Sequence, residues 1–377
     1  MLRGILCVIV FFLALEFCAR LDDVVSYHAP FWGPYNNQIL LRTDSLGRWG
    51  KPGARYEKWQ LNNLGYRGPE LRPGTVRIVC FGASETFGLY EAPNEEYPRQ
   101  LERDLNQLAG KPEFQVVNAA FPGETLPTAI LRVPQVVSQI HPSYALIYPT
   151  LANYIDLTPL REHAPRSKNP FSLSDWLSEL RIIERVRNFM KGALPDAIQT
   201  KLREIEIKRD AAHAPVMKTL PEKNVDRFRQ DLTALVGALK AHGVEPVLVT
   251  HATAFNSSLT PQDRELLTEW RKFYPMLEEG GFMNMEHRLN QVVGDVAACE
   301  NLALIDAANE IPPGPENFAD MVHFTTKGAG IMASDLAAGL KPVLFSQAGG
   351  KELNPSPAVS PEKPGCGASR GLAEEHR

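Results

Sequence analysis

Ser84 lies in Val-Arg-Ile-Val-Cys-Phe-Gly-Ala-Ser-Glu-Thr-Phe-Gly, residues 76–88, between Gly82 and Gly88. The β-branched run ends at Gly82 and a polar segment follows, which reads as strand, tight turn and helix. A serine in such a turn points out of the carboxyl edge of a sheet, where an open α/β domain keeps its ligands. The N–H groups of the helix behind it favour negative charge developing beside the hydroxyl. Acyl transfer by serine needs a base within hydrogen-bond reach, because the hydroxyl's own pKa is far too high. Asp320 and His323, three residues apart before a helical pattern, lie on one side of a helical turn. That carboxylate can accept the imidazole Nδ1–H and leave Nε2 free as a base. Acyl transfer also needs donors where the carbonyl oxygen turns anionic. Gly123, in the turn after Phe114–Asn118, can present its N–H outward, and Asn153 offers an amide just after a buried strand. Each feature alone has a plainer reading: Ser84 as a helix N-cap, Asp320 and His323 as a surface pair, Gly123 as a turn glycine and Asn153 as a cap.

The elements that must position these residues are a series of alternating strands and helices. Strand patterns cover Val76–Phe81, Phe114–Asn118, Tyr144–Pro149, Glu245–Thr250 and Leu302–Ile305. Helical patterns cover Glu95–Leu108, Thr125–Ile140, Val225–His242, Asn284–Ala298 and Lys327–Leu340. Helices of this length between strands imply right-handed crossovers and a parallel sheet of five strands covered on both faces, an α/β domain of three layers. The alternation defines a main domain over 74–345. An insertion over 155–220 interrupts it with two amphipathic helices, near Leu173–Met190 and Pro195–Arg209. On the first, Trp176, Leu177, Leu180, Ile183, Val186 and Phe189 share a face that reads as core-facing, with membrane or lid contact as the alternative.

Residues 1–21 carry an apolar run from Gly4 to Leu15 that reads as an uncleaved signal anchor, with a cleaved signal peptide as the alternative. Glu16 is out of place in such a segment. Arg3 before the run and Asp22-Asp23 after it suggest that the remainder is exported. Residues 22–73 form a lead segment in which Asn62–Gly68 reads as a plain hairpin turn. Residues 346–377 lack apolar periodicity and read as a disordered tail.

A net charge of −4 excludes the basic footprint of a nucleic-acid binder. Five cysteines without close spacing indicate neither a disulfide framework nor a zinc site. His141, His213, His242 and His287 have no neighbours at metal-ligand spacing, and no Gly-Lys-Ser/Thr follows Gly88, so neither a metal nor a phosphate-bearing cofactor is expected. Cys80 reads as an apolar filler. His251, after the fourth strand, reads as a strand-end histidine or as a residue lining the pocket.

Gly82-Ala83-Ser84-Glu85-Thr86-Phe87-Gly88 resembles the G-D-S-x-T-x-G block of the SGNH (GDSL-type) hydrolases; Gly123, Asn153 and Asp320-x-x-His323 match its further blocks in order, from about Val76 to Leu340. The lead around Asn62–Gly68 is similar to that of membrane-anchored bacterial members. The resemblance implies a flavodoxin-like sheet and a serine esterase or acyltransferase site. In it Ser84 is nucleophile, His323 base and then acid, and Asp320 the orienting carboxylate. The backbone N–H groups of Ser84 and Gly123 and the Asn153 amide form the oxyanion hole. Ala83, Leu151 and Tyr154 depart from the pattern, which bears on loop rigidity near Asn153 and on the shape of the pocket. The expected function is removal of O-acyl groups, acetyl among them, from an envelope glycan or lipid by a membrane-tethered enzyme on the periplasmic or cell-surface side. The alternatives are O-acetyl transfer to a polysaccharide and a non-catalytic glycan-binding scaffold.

Overall fold

A computed structural model describes residues 2–32, 37–44, 47–156, 180–193, 217–255, 259–271, 274 and 276–345. The predicted helix at Pro195–Arg209, the start of the predicted helix at Leu173 and the tail 346–377 lie outside these residues.

Five strands form one parallel sheet: β1 (Val76–Phe81), β2 (Phe114–Asn118), β3 (Tyr144–Ile147), β4 (Glu245–Val249) and β5 (Ala303–Ile305). Their spatial order is β2-β1-β3-β4-β5, with register pairs such as Cys80 to Asn118 and Cys80 to Leu146. Chain order 2-1-3-4-5 is the flavodoxin-like order, whose switch point falls between β1 and β3. The strands are buried almost throughout, as a parallel sheet covered on both faces requires.

One face is covered by helices Tyr97–Ala109 and Thr326–Phe345, which pack on each other over Ile78, Cys80, Leu146 and Val247. The other is covered by Leu126–Ile140, Glu222–Ala241 and Glu279–Glu300 over Val79, Phe81, Ala145 and Leu248. The architecture is therefore three-layer α/β/α. Cys80 is fully buried, and burial pushes its thiol well up. Cys299 is disulfide-bonded, which the scattered spacing of the cysteines did not announce.

The lead segment is more than a hairpin. A small apolar cluster of Leu40, Tyr56, Trp59 and Leu61 closes over Phe87 and Phe121. Asn62 Oδ1 accepts from the N–H groups of Leu64 and Tyr66, each at 3.0 Å, which shapes the turn. Gly65 and Gly50 meet backbone to backbone, so that a Cβ on Gly50 would lie 1.8 Å from the Gly65 oxygen.

The N-terminal helix Leu2–Tyr27 is tied to the inserted helix Arg181–Ala193 by polar contacts. Glu16 accepts from the backbone N–H groups of Arg181 at 3.1 Å and Ile182 at 3.0 Å, and so satisfies donors that a helix start leaves free. It also pairs with Arg20 at 2.6 Å, and Arg185 pairs with Asp22 and Asp23, each at 2.7 Å. Glu16 is explained by this cap. The core-facing reading of the inserted helix is corrected: Ile183, Val186 and Phe189 point to solvent, Phe189 at 78% exposure, because the contact runs through the charged face.

Candidate active site

The turn bearing Ser84 depends on Gly82. A Cβ there would fall 2.0 Å from Thr86 Oγ1 and 3.0 Å from the Tyr148 oxygen, so only glycine lets the helical turn sit down on the β1 end. The helix is a single turn, Ser84–Phe87, shorter than the sequence pattern suggests, and Gly88 closes it at φ 87°. Its carbonyls are held from three sides. Asn118 Nδ2 donates to Thr86 O at 2.8 Å, Trp59 Nε1 donates to Gly88 O at 3.0 Å, and the buried Arg67 guanidinium donates to both Phe87 O and Gly88 O. Arg67 also pairs with buried Glu96 at 2.9 Å. Glu91, buried nearby, has its carboxyl pushed up by burial to about 7.

Asp320 and His323 meet as expected, although by a different local geometry. The last helix begins only at Thr326, and the pair sits in the preceding loop. Asp320 Oδ1 accepts from the N–H groups of Val322 at 3.0 Å and His323 at 2.9 Å, which folds a carboxylate-centred turn. Asp320 Oδ2 lies 2.7 Å from His323 Nδ1. This fixes the ring with Nε2 outward, and Nε2 is buried with no hydrogen-bond partner. Burial favours the neutral ring, but the hydrogen bond to Asp320 and the charges of Glu85, Asp320 and Glu91 override it and raise the His323 pKa above its usual value. Tyr90, half exposed, lies edge-on to His323 with ring centres 5.5 Å apart.

Ser84 is half-buried, and its Oγ donates to Glu85 Oε2 at 3.1 Å, not to His323. The expected contact between Ser84 Oγ and His323 Nε2 is not present. Thr150 Oγ1 donates to the same Glu85 oxygen at 3.1 Å. Burial alone would raise the Glu85 carboxyl, but the imidazoles of His251 and His323 beside it hold it low.

Behind Glu85 stands a charged pair that the sequence did not show as such. His251 is 2% exposed, with Nε2 3.6 Å from Glu85 Oε1 and Nδ1 2.9 Å from Glu286 Oε2. It stacks on Tyr148 at 5.2 Å. Burial disfavours its cation, but the carboxylates of Glu286 and Glu85 on either side raise its pKa above the usual histidine value. His251 follows the end of β4 as a strand-end histidine, buried behind Glu85, and is not among the residues lining the cleft from Gly82 to Asn153. Glu286 announces itself only as an acid among Phe282, Met285 and Leu289 on the core face of its helix.

Gly123 is exposed at φ 77°, a backbone that favours glycine. Asn153 lies in the turn Leu151–Tyr154, and its Nδ2 donates to Glu124 O at 3.0 Å, which joins the Asn153 and Gly123 loops. The departures from the family pattern are packing residues here. Leu151 is fully buried, and the Tyr154 hydroxyl donates to Asp231 at 2.9 Å, so both pin the Asn153 turn to the three-helix layer. Buried Glu124 pairs with Arg132, which lies between Trp49 and Phe121 at 4.8 and 4.6 Å.

A cleft enclosing about 280 Å³, its open mouth included, runs from Gly82 along Thr125, Ala129, Tyr148 and Thr150 to Asn153. Among the described residues no group of His, Cys, Asp and Glu is arranged to hold a metal ion.

No protein-family model matches the chain, and no curated protein matches it. Solved structures similar to it include a lipase/acylhydrolase from Enterococcus faecalis, at 17% identity over 71% of this chain and 97% of that one, TM-score 0.42. A catalytic mutant of an acetylxylan esterase from Geobacillus stearothermophilus matches at 15% identity over 72% and 96%, TM-score 0.41. A GDSL-like lipase from Bacteroides thetaiotaomicron matches at 13% identity over 71% and 89%, TM-score 0.38. At identities this low, chemistry is argued from the residues of this chain alone.

Proposed function

We propose that the chain is a serine-dependent ester hydrolase that removes short O-acyl groups, acetyl in the first place, from an envelope glycan or lipid. The observation that carries this reading is the state of His323: Nδ1 is held by Asp320, Nε2 is buried and unpartnered, and its charge is coupled to Glu85, the neighbour of Ser84. The mechanism requires the Ser84 hydroxyl to leave Glu85 and meet His323 Nε2. Oγ then attacks the ester carbonyl carbon and its proton passes to Nε2. The carbonyl oxygen becomes anionic beside the N–H groups of Ser84 and Gly123 and the Asn153 amide, each such donor being worth about 10²–10³ in rate. As the C–O bond to the alcohol breaks, His323 returns the proton to the departing oxygen. Water, deprotonated by the same imidazole, then releases the carboxylic acid and restores Ser84.

The helix Leu2–Tyr27, 26 residues and apolar over its first half, serves in this reading as the membrane anchor.

The reading is tested with a nitrophenyl acetate. The intact chain should turn it over and Ser84→Ala should not; equal turnover by both in a clean preparation overturns the assignment. Partition of a labelled acyl group between water and an added polysaccharide separates hydrolysis from O-acetyl transfer, which shares the acyl-enzyme.

A further inference from the structure

The inserted helix Arg181–Ala193 has two unlike faces. Arg181, Glu184 and Arg185 are engaged in ion pairs, the arginines with Asp22 and Asp23 of the N-terminal helix. Ile183, Val186, Phe189 and Met190 face solvent at 41%, 50%, 78% and 62% exposure. Spacings of three and four residues put these four on one stripe, an apolar surface of the kind that marks a site of contact.

What the stripe meets is indicated by what the helix is fastened to. On the N-terminal helix, Glu16 and Asp23 face the inserted helix and Asp23 is buried there, while buried Arg20 pairs with Glu16 and donates to Phe31 O. Ile5, Ile9, Phe12 and Leu13, toward the N-terminus, are exposed and apolar. The change from apolar to charged surface therefore falls near Glu16, the residue that caps the inserted helix. Phe17, Phe31 and Trp32 form an aromatic cluster at the same level, with ring centres 5.5 and 5.0 Å apart and Trp32 72% exposed. Exposed aromatic rings at an apolar-to-polar boundary are the signature of a membrane–water interface.

We propose that the Arg181–Ala193 helix lies in the plane of that interface, its Ile183, Val186, Phe189 and Met190 stripe sunk into the acyl boundary of the bilayer that the N-terminal helix enters. A helix with one apolar and one charged face lies on a membrane in this way. The Glu16 cap and the Asp22 and Asp23 pairs set the two helices as one unit, so the domain is seated on the lipid rather than swinging from a single tether. The inference rests on the anchor reading of Leu2–Tyr27 and adds to it a second, peripheral contact.

The test uses the full chain with Cys7 and Cys18 replaced by serine, reconstituted in phosphatidylcholine/phosphatidylglycerol vesicles. A nitroxide is placed by Phe189→Cys, by Val186→Cys in a second preparation, and by Lys111→Cys as a water-exposed reference, the parent signal being subtracted. Flotation with the vesicles reports the anchor, and collision with dissolved oxygen and with a water-soluble nickel chelate reports the depth of the label. The expected result is flotation, nickel collision several-fold lower at 186 and 189 than at 111, and higher oxygen collision. Flotation with nickel collision at 186 and 189 equal to that at 111 overturns the seating and leaves the anchor standing. Shielding from both reagents also overturns it, since a second copy or the protein's own surface would then cover the stripe. A chain that fails to float overturns the anchor reading itself and the seating with it.

Discussion

The Ser84 hydroxyl donates to the carboxylate of its own neighbour, Glu85, at 3.1 Å. A carboxylate held this low is a poor base, so the contact parks the hydroxyl and does not activate it. In the proposed mechanism the hydroxyl must leave Glu85 for His323 Nε2. Glu85 also acts on that base at a distance, because its negative charge raises the His323 pKa. Glu85→Gln should therefore move the acid limb of kcat/KM to lower pH. An unmoved limb would show that Glu85 does not tune the base.

Activity should rise with pH through the pKa of His323, since only the neutral ring accepts a proton. That pKa is raised, so the acid limb in the intact chain should lie above 6.5, the usual histidine value. Asp320→Asn removes the first of the raising influences and the partner that orients the ring. It should shift the limb downward and lower kcat by about 10⁴. A limb below 6.5 in the intact chain contradicts this account of the base.

Arg67 comes from the lead segment yet holds the carbonyls that close the Ser84 turn. Arg67→Ala leaves Glu96 buried without its cation, a change that typically costs about 3–5 kcal/mol. Urea unfolding should show a loss of that order together with lower turnover. A loss below 1 kcal/mol, the range of an exposed pair, would mean that the lead is only a decoration.

Gly82→Ala forces a methyl toward Thr86 and the Tyr148 carbonyl. Overpacking of this kind costs about 1–3 kcal/mol. The expected outcome is a folded, less stable protein whose kcat falls more than its KM rises, since the displaced element carries Ser84. Undiminished kcat would place the nucleophile elsewhere.

The parallel sheet was legible because buried parallel strands are β-branched runs, and β1 and β2 fall on the expected residues, whereas the flavodoxin-like order was expected only from the family resemblance. His323 and Asp320 were legible from their spacing, although an aspartate-centred turn and not a helix brings them together. Glu85 occupies the variable position of its block, and its role depends on His251 and Glu286, which reach it from distant elements. No local pattern encodes such a meeting. The exposed stripe of the inserted helix was misread because amphipathic spacing states that a helix has an apolar face and not what covers it.

The proposed short-acyl preference is tested by ester chain length. A pocket that accepted longer chains would gain about fourfold in kcat/KM for each added CH₂ buried, from about 0.8 kcal/mol of transfer free energy. Under the proposed preference for short acyl groups, kcat/KM should stay level or fall from acetate to octanoate esters. A steady rise along that series would point to a lipid-sized trough instead.

The central claim is that Ser84 is a nucleophile activated by His323, and labelling with a fluorophosphonate followed by peptide mapping tests it most directly. The account predicts a phosphonyl adduct on Ser84, lost in Ser84→Ala and strongly slowed in His323→Ala. No adduct, or one on another residue with Ser84 unmodified, would contradict it and leave a tethered scaffold.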